Sequence, residues 1–270
     1  MMRVPFTKAH GAGNDFLLTW AGDAPGEDLP ALARMICSRH TGVGADGWML
    51  VDGPPQGVVC DASVRLFNAD GSEPEMSGNG TRCAAAFLME AGFLKGPEMR
   101  IATGAGVKHL RLIDRQGLEY LFEMNMGRPE CDEGELRRML PLDGGVREVT
   151  SLSVGNPQCA VFVDDFNFDW RRVGAEIEGH PHFPDRTNVS FVRPVDAHTL
   201  EVRFFERGVG ETMSSGTGAT GAAAAAILRD VATSPVRVLT PAGPMDLRWD
   251  GDIFLTGPAV IVAGGEFCTG

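Results

Sequence analysis

Two serines begin the same short pattern at two places in the chain. Ser77 begins Ser-Gly-Asn-Gly, Ser215 begins Ser-Gly-Thr-Gly, and an alanine-rich stretch follows each. A serine at such a place commonly caps a helix by accepting a backbone amide hydrogen bond. The first amides of a helix also bind anions, and glycines let the backbone approach a ligand closely. The two patterns therefore predict two helix starts that share one small acidic ligand.

The chemistry of such a site follows from the two hydroxyls. The backbone amides that would hold a carboxylate are those of the two residues after each serine, namely Gly78, Asn79, Gly216 and Thr217. The α-carbon of the bound acid would then lie between Ser77 and Ser215. Groups on opposite faces of one carbon can remove a proton from one face and return it to the other. This arrangement predicts racemisation or epimerisation.

The two patterns belong to an internal repeat. A shift of 138 positions pairs Val64–Phe67 with Val202–Phe205, Ser77 with Ser215, and Ala84–Ala86 with Ala222–Ala224. A shift of 142 positions pairs Asn14 with Asn156 and Asp46 with Asn188. Self-similarity of this kind indicates two copies of one structural unit.

Length and composition agree with two globular domains. The chain has 270 residues, and roughly 150 residues is a common domain size. The net charge of -12 disfavours nucleic acid as a partner, because phosphate binding needs a basic surface. Short strands, among them Gly57–Cys60, Val64–Phe67 and Leu200–Phe205, alternate with few helical stretches, predicted at Asp28–Arg39, Gly80–Ala91 and Gly218–Arg229. The pattern is typical of a mixed α/β protein.

The sequence predicts neither a metal site nor a cofactor. Its six cysteines are scattered without zinc-binding spacing, so we expect free thiols in a cytoplasmic protein without a membrane segment. His180, His182 and Asp185 lie in a proline-rich stretch that is more typical of a polar loop than of a metal site. No lysine lies in a motif suited to a pyridoxal-phosphate Schiff base. Neither a Gly-x-x-x-x-Gly-Lys-Ser/Thr loop nor a Gly-x-Gly-x-x-Gly with a downstream acid is found in a strand-to-helix context, and the sequence has no serine-hydrolase elbow.

Longer motifs in the chain resemble those of the diaminopimelate epimerase family. In chain order they are His10–Phe16 (HGAGNDF), Arg39–Asp46 (RHTGVGAD), Asn68–Glu73 (NADGSE), Gly78–Cys83 (GNGTRC), Gly155–Pro157 (GNP), Glu206–Thr212 (ERGVGET) and Gly216–Gly218 (GTG). They follow the order of the family, and the blocks NADGSE and ERGVGET are specific to it.

The resemblance implies a fold and an activity. The expected fold is α/β (α+β), with two pseudo-symmetric domains, each a mostly antiparallel sheet wrapped around a central helix, and the active site in the inter-domain cleft. We place the domains at residues 1–116 plus 257–270 and at residues 117–256. The implied activity is cofactor-independent conversion of LL-2,6-diaminopimelate to the meso form by two-base proton transfer, on the route to lysine and cell-wall precursors. A homodimer is also implied.

The resemblance also assigns roles to individual residues. The acid/base positions fall on Ser77 and Ser215, and we add Glu206 as a catalytic candidate. The expected substrate-binding residues are Asn14, Asn68, Asn156, Asn188, Glu206 and Arg207, together with Gly78, Asn79, Gly216 and Thr217. The planar guanidinium of Arg207 suits a carboxylate, and asparagine amides both donate and accept hydrogen bonds.

The chain departs from the family at three chemically important positions. The family has cysteines where Ser77 and Ser215 stand, and a histidine where Gln158 follows Asn-Pro. A thiol has a pKa of ~8.5, whereas the pKa of a simple alcohol is far higher, close to that of water. Forming the serine anion therefore costs on the order of 10 kcal/mol more than forming the thiolate. Serine alone is a poor base.

Three interpretations of the two serines remain open at the level of sequence. In the first interpretation, the two cysteines were replaced by engineering to trap a substrate, a purpose for which Gln158 is not needed. Alternatively, the chain is a natural branch that uses another base, and this branch includes an isomerase or dehydratase of a different amino acid. The candidate bases of such a branch are Glu206, Glu211, Asp15 and Glu73. The third interpretation is a catalytically silent amino-acid-binding protein.

Overall fold

The computed structural model describes residues 2–26 and 28–269 as two compact α+β units. Unit 1 comprises Met1–Met124 and Gly257–Gly270, and unit 2 comprises Asn125–Thr256. Unit 1 therefore extends past residue 116, where the sequence analysis ends the first domain. The reason is a hairpin, because the strand Glu119–Gly127 pairs antiparallel with the strand Gly106–Gln116 and most of it stays in the same unit.

The strands of unit 1 neighbour one another in chain order. They are β1 (Met2–Gly11), β2 (Asn14–Trp20), β3 (Gly47–Asp52), β4 (Ala62–Asn68), β5 (Glu98–Thr103), β6 (Gly106–Gln116) and β7 (Glu119–Gly127). The pairs β2–β3 and β4–β5 are parallel, and the other neighbours that follow one another are antiparallel. The last strand, β16 (Asp252–Thr269), returns to pair antiparallel with β1, with His10 opposite Val260. The sheet of unit 1 is thereby closed like a barrel.

Unit 2 repeats this order of pairings. Its strands are β8 (Arg138–Leu142), β9 (Gly145–Ser153), β10 (Pro157–Phe162), β11 (Asn188–Asp196), β12 (Thr199–Glu206), β13 (Gly210–Thr212), β14 (Val236–Thr240) and β15 (Gly243–Asp250), followed by the start of β16. The pairs β10–β11 and β12–β14 are parallel, and β9–β10, β11–β12, β14–β15 and β15–β16 are antiparallel. The predicted duplication and the mostly antiparallel sheets are confirmed.

Each unit wraps its sheet around one central helix. Helix α2 (Gly78–Glu90) packs against strands β1 to β5, and helix α4 (Gly216–Leu228) packs against β9 to β12, β14 and β15. Nearly every residue of both helices is buried, and the small side chains of Ala84–Ala86 and Ala222–Ala226 let the strands approach. The shorter helices α1 (Leu29–Ile36) and α3 (Trp170–Glu178) pack on the outside of the sheets with one apolar face. No helix in the described residues is long and apolar enough to cross a membrane.

Three local predictions need correction. Both central helices begin two residues earlier than predicted, because Ser77 and Ser215 cap them. Helix α1 ends at Ile36 rather than at Arg39, since the amides of Val43 and Gly44 turn back to bond the Ile36 carbonyl.

The predicted strand Gly57–Cys60 is wrong. The segment forms a turn and an irregular stretch that pairs with no strand. Gly57 has a φ of +79°, which a strand does not accommodate, and Val59 is 75% exposed. The apolar residues of this segment therefore lie on a loop.

Enlarging a central-helix alanine should destabilise either unit. Ala84 and Ala222 occupy equivalent positions of the repeat and are fully buried. Leucine at either position overpacks a filled core, so Ala84→Leu and Ala222→Leu should each lower the free energy of unfolding by about 1–3 kcal/mol in urea titrations. The matched control is Ala175→Leu on the exposed face of α3, where a change within about 0.5 kcal/mol is expected. Equal effects at all three positions would contradict the central placement of α2 and α4.

Candidate active site

Ser77 forms the start of helix α2. Its backbone is extended, with φ of -130° and ψ of 126°, and its hydroxyl oxygen accepts the Gly80 amide at 3.2 Å. Its carbonyl accepts both the amide and the hydroxyl of Thr81 at 2.8 Å. The residue is half-buried. These bonds fix the Ser77 side chain at the N-terminal end of α2. The first amides of any helix have no carbonyl partner within the helix, so they can bind another acceptor.

Ser215 forms the start of helix α4 in the same conformation. Its φ and ψ are -140° and 119°, and its hydroxyl oxygen accepts the Gly218 amide at 3.1 Å. Unlike Ser77, Ser215 also donates its hydroxyl hydrogen to a carboxylate, the Oε2 atom of Glu206, at 3.0 Å. This serine is buried. The structure thus joins two of the predicted catalytic residues, Ser215 and Glu206, into one hydrogen-bonded pair.

Glu206 ends strand β12 with an enclosed carboxylate. Its Oε1 atom accepts the Thr212 hydroxyl at 2.6 Å, and its Oε2 atom accepts that of Ser215. Burial raises the pKa of Glu206, and the two hydroxyl hydrogen bonds only partly oppose that effect. A carboxylate whose pKa is raised is a stronger base when ionised, which suits proton transfer near neutral pH.

The other three candidate bases are held by arginines. Asp15 is paired with Lys8 and Arg39; burial opposes its ionisation, but the hydrogen bonds from these cations outweigh burial and lower its pKa. The remaining two carboxylates are bidentate, Glu73 with Arg65 and Glu211 with Arg171, and the Arg65 hydrogen bonds lower the pKa of Glu73. Among the four candidates, Glu206 is the one that touches a helix-capping serine.

In unit 1 the predicted binding residues Asn14 and Asn79 are linked. The Asn79 amide nitrogen donates to Asn14 Oδ1 at 3.2 Å, and the Asn14 amide nitrogen donates to Asp46 at 2.7 Å. Asp46 is in turn bound by Arg39 at 2.7 Å. The side chain of Asn79 is buried at the first turn of α2. Two predicted residues are therefore brought together at the Ser77 helix start.

Asn68 lies at the end of strand β4, in a tight turn. Its side-chain amide donates to the Ser72 hydroxyl at 2.9 Å, and Ser72 in turn donates to Asp70. Gly71 has a φ of +84°, which favours glycine and explains the Asp-Gly sequence of the turn. Asn68 is half-buried at the place in unit 1 that Glu206 occupies in unit 2.

In unit 2 the predicted binding residue Asn156 is held by Gln158. The Gln158 amide nitrogen donates to Asn156 Oδ1 at 2.7 Å, and the Asn156 nitrogen lies 3.5 Å from the Thr217 hydroxyl. The side chain of Gln158 is buried, and a Cβ on Gly221 of α4 would approach it to 2.9 Å. The glutamine that replaces the family's histidine therefore orients an asparagine.

Asn188 and Arg207 meet at the loop after β12. The Arg207 amide donates to Asn188 Oδ1 at 3.0 Å, and the Asn188 side chain donates to the Pro157 carbonyl at 3.0 Å. The Arg207 guanidinium donates to the Asp185 carbonyl at 3.1 Å. Buried Glu178 accepts the amide of Gly208 at 3.0 Å. Asn188 thus fixes the backbone that carries both Glu206 and Arg207.

Two residues that bond the predicted site residues were not among the predictions. Thr212, which bonds Glu206, is the last residue of the block ERGVGET, and Asp46, which bonds Asn14, is the repeat partner of Asn188. Both residues lie in patterns that are visible in the sequence, but spacing along the chain does not show which side chains they bond.

The proline-rich stretch with His180 and His182 forms hydrogen bonds within unit 2. His180 bonds the Pro141 carbonyl at 3.0 Å, and His182 lies 3.0 Å from the Glu135 carboxylate. Within residues 2–26 and 28–269, no group of three or more His, Cys, Asp or Glu side chains is arranged to hold a metal ion.

The fold is similar to that of a solved amino-acid epimerase. It matches a hydroxyproline epimerase from Agrobacterium vitis with a TM-score of 0.74 at 16% identity, covering 98% of this chain and 91% of that one.

Sequence relatives narrow the class to one family. The model of the diaminopimelate epimerase family matches residues 6–131 and 150–262. The diaminopimelate epimerases of Pelotomaculum thermopropionicum and Moorella thermoacetica are 41% and 40% identical to this chain, and each match covers 97% of this chain and 98% of the relative. The chain belongs to the diaminopimelate epimerase family.

Replacing Glu206 by glutamine should change stability in a pH-dependent way. Because burial raises the pKa of Glu206, the folded state binds this proton more tightly than the unfolded chain. The stability from this group is complete below the ordinary value of 4.5 and is lost as pH rises through the raised pKa. Relative to the native protein, Glu206→Gln should therefore gain stability with rising pH, measured as the difference in unfolding midpoint.

The control for this prediction has the opposite sign. The pKa of Glu73 is lowered by Arg65, so Glu73→Gln should lose stability relative to the native protein as pH rises through that lowered pKa. The effect should be small because both partners are about half exposed. A difference for Glu206→Gln that is independent of pH would contradict the enclosed carboxylate.

Proposed function

We propose that this protein is a cofactor-independent amino-acid epimerase that interconverts LL-2,6-diaminopimelate and the meso form by proton transfer at the α-carbon. Family membership supports the substrate. The hydrogen bond from Ser215 to Glu206 carries the proposal for the chemistry, because it gives a weakly acidic hydroxyl a carboxylate partner.

Ser215 and Glu206 act together as one base. The α-hydrogen leaves carbon as a proton and forms a new O–H bond at Ser215 Oγ, while the original hydroxyl proton passes to Glu206. The electron pair of the C–H bond stays on the α-carbon, next to the substrate carboxyl group. No free anion forms at Ser215, so at this face the cost of about 10 kcal/mol for an alkoxide over a thiolate is largely avoided. Transfer back along the same path regenerates the starting state.

Ser77 is the proton donor for the opposite face in this proposal. Across the described residues its hydroxyl oxygen accepts the Gly80 amide, and no carboxylate of unit 1 bonds it. Giving its proton to carbon leaves Ser77 as an alkoxide, which takes a proton from water without the help that Glu206 gives Ser215. Glu206 releases to water the proton that it accepted, which restores the starting charges. Proton return through Ser77 should therefore be the slower half of the reaction.

The substrate-binding residues follow the same proposal. The amides of Gly78, Asn79, Gly216 and Thr217 bind a carboxylate at the helix ends, where the helix dipole favours negative charge. Arg207 has five donors, one of which bonds the Asp185 carbonyl, and its planar fork suits a second carboxylate. Asn14, Asn68, Asn156 and Asn188 supply amide groups to the polar ends of the substrate.

Location and assembly are further parts of the proposal. We place the enzyme in the cytoplasm as a homodimer on the route to lysine and cell-wall precursors, without a cofactor. The family supports the pathway and the dimer. The six cysteines are free thiols in the structure, which fits a reducing compartment.

Hydrogen exchange in D2O tests the chemistry directly. The native protein should exchange the α-hydrogen of LL-2,6-diaminopimelate faster than it forms the meso isomer, because return through Ser77 is slow. Ser215→Ala should reduce exchange by about a hundredfold or more, the usual contribution of a general base. The measurement is mass spectrometry for deuterium together with chiral chromatography for the isomer.

Restoring thiols should accelerate inversion. The double variant Ser77→Cys with Ser215→Cys gains a far more acidic group on each face, so its rate of meso formation should exceed that of the native protein. Ser63→Cys, on strand β4 with its hydroxyl bonded to the Gly53 carbonyl, is the control for an added thiol and should leave the rate unchanged.

Three outcomes would replace the proposed function. Binding without exchange indicates a silent binder, and exchange of a different amino acid alone indicates another isomerase. Loss of water or ammonia from a substrate indicates a dehydratase or related lyase.

A further inference from the structure

A buried arginine lies one turn into helix α2. The side chain of Arg82 is fully buried, and its Nη2 atom donates to Asn79 Oδ1 at 2.6 Å. Its Nε atom donates to the Pro258 carbonyl at 3.3 Å, and its Nη1 atom has no hydrogen-bond partner among the described residues. A Cβ on Gly257 would come within 3.0 Å of the guanidinium, so the backbone of β16 closes over it.

Arg82 lacks a counter-ion. Within the described part of the chain no carboxylate forms an ion pair with it, and burial lowers its pKa to about 10. A buried cation without a carboxylate costs folding free energy, and the two hydrogen bonds that Arg82 donates, to Asn79 Oδ1 and to the Pro258 carbonyl, offset only part of that cost. Stability therefore gives no reason for an arginine here.

The hydrogen bonds from Arg82 through Asn79 and Asn14 to Asp46 have donors and acceptors in a fixed order. A guanidinium only donates, so Asn79 must turn its Oδ1 towards Arg82 and its amide nitrogen towards Asn14. Asn14 then accepts through Oδ1 and donates to Asp46, whose ionised carboxylate only accepts. The two ends of the chain thus determine the orientation of both asparagine amides.

The other repeat has no such cation. The position equivalent to Arg82 is Thr220, whose hydroxyl bonds the Gly216 carbonyl at 2.7 Å. Asn156, the counterpart of Asn14, accepts from Gln158 and directs its nitrogen towards helix α4. The amide of Asn14 directs its oxygen towards helix α2, so the two related asparagines point in opposite senses.

We propose that Arg82 is a positioning residue: its guanidinium orients the amides of Asn79 and Asn14 and adds positive charge at the α2 helix start, where a substrate carboxylate binds. The proposal rests on the proposed function for the identity of the substrate. Arg82 acts on the ligand through Asn79 and through its charge, because its own side chain is sealed from solvent.

Two substitutions separate positioning from a structural role. Arg82→Met removes the charge and the donors at similar volume, and should leave the thermal midpoint unchanged or raised while weakening diaminopimelate binding about tenfold or more. Arg82→Lys keeps a charge and a donor, and should retain most of the binding. The control is Arg229→Met, since Arg229 is nearly buried at the end of α4 but pairs with Glu148, so its loss should lower the midpoint without weakening binding.

A second measurement judges the hydrogen-bond chain without any ligand. In nitrogen-15 spectra, the side-chain amide signals of Asn14 and Asn79, assigned with Asn14→Asp and Asn79→Asp, should be sharp in the native protein. In Arg82→Met these signals should shift and broaden as the amides gain a second orientation, whereas Asn156 should not change.

The outcomes are distinguishable. Unchanged Asn14 and Asn79 signals in Arg82→Met overturn the positioning role, as does weaker binding in proportion to a lowered midpoint. Should Arg82→Met not fold, the structural role is favoured unless Arg82→Lys restores both the signals and the fold. If the native protein neither binds nor exchanges diaminopimelate, the proposed function fails, and the spectra still decide whether Arg82 orients the two amides.

Discussion

Both central helices depend on one interaction, the hydrogen bond that a serine oxygen accepts from the amide three residues later. The bond starts α2 at Gly78 and α4 at Gly216, two residues before the helical pattern of the sequence begins. Because each helix is buried on nearly every side, its start cannot shift without disturbing the strands around it. The first amides of each helix and the capping hydroxyl are therefore held in place by the most buried element of their unit. This rigidity is what a site made of backbone groups requires.

The two units share a fold but differ in charge at the starts of their central helices. Where strand β4 ends in Asn68, the equivalent strand β12 ends in Glu206. Where α2 carries buried Arg82, α4 carries Thr220. One helix start is consequently supported by a cation and the other by a carboxylate.

Much of the fold could be predicted because the repeat is visible in the sequence. Once Ser77 and Ser215 are aligned, the strand before each helix and the alanines within it follow, and the order of parallel and antiparallel pairings is the same in both units. Helix α3 was not predicted because it spans only nine residues and contains Gly174, a residue with low helix propensity. The adjacent valines in Gly57–Cys60 led to a wrong strand prediction, because a short apolar run does not show whether a partner strand lies beside it.

The site was less predictable than the fold. The family resemblance suggested Glu206 and the asparagines as site residues, and their role toward a substrate stays a prediction. Their partners could not be predicted, because Thr212 and Arg82 act through contacts that only the folded chain creates. The distinction between Glu206 and the other candidate bases likewise depends on which carboxylates meet an arginine in space. Spacing along the chain carries no information on this point.

The relative size of two effects determines how a serine can serve in place of a thiol. A serine cap stabilises a helix by about 1 kcal/mol over a residue that cannot cap. The loss of acidity from thiol to hydroxyl is on the order of 10 kcal/mol. The stabilisation from helix capping therefore cannot offset the loss of acidity, and the hydroxyl proton must pass to another group. Ser215 has that group in Glu206, whose pKa is raised by burial, so the hydroxyl can pass a proton without becoming an anion. In the proposed mechanism the base is consequently the Ser215–Glu206 pair, in which the serine oxygen contacts the carbon and a glutamate oxygen holds the proton.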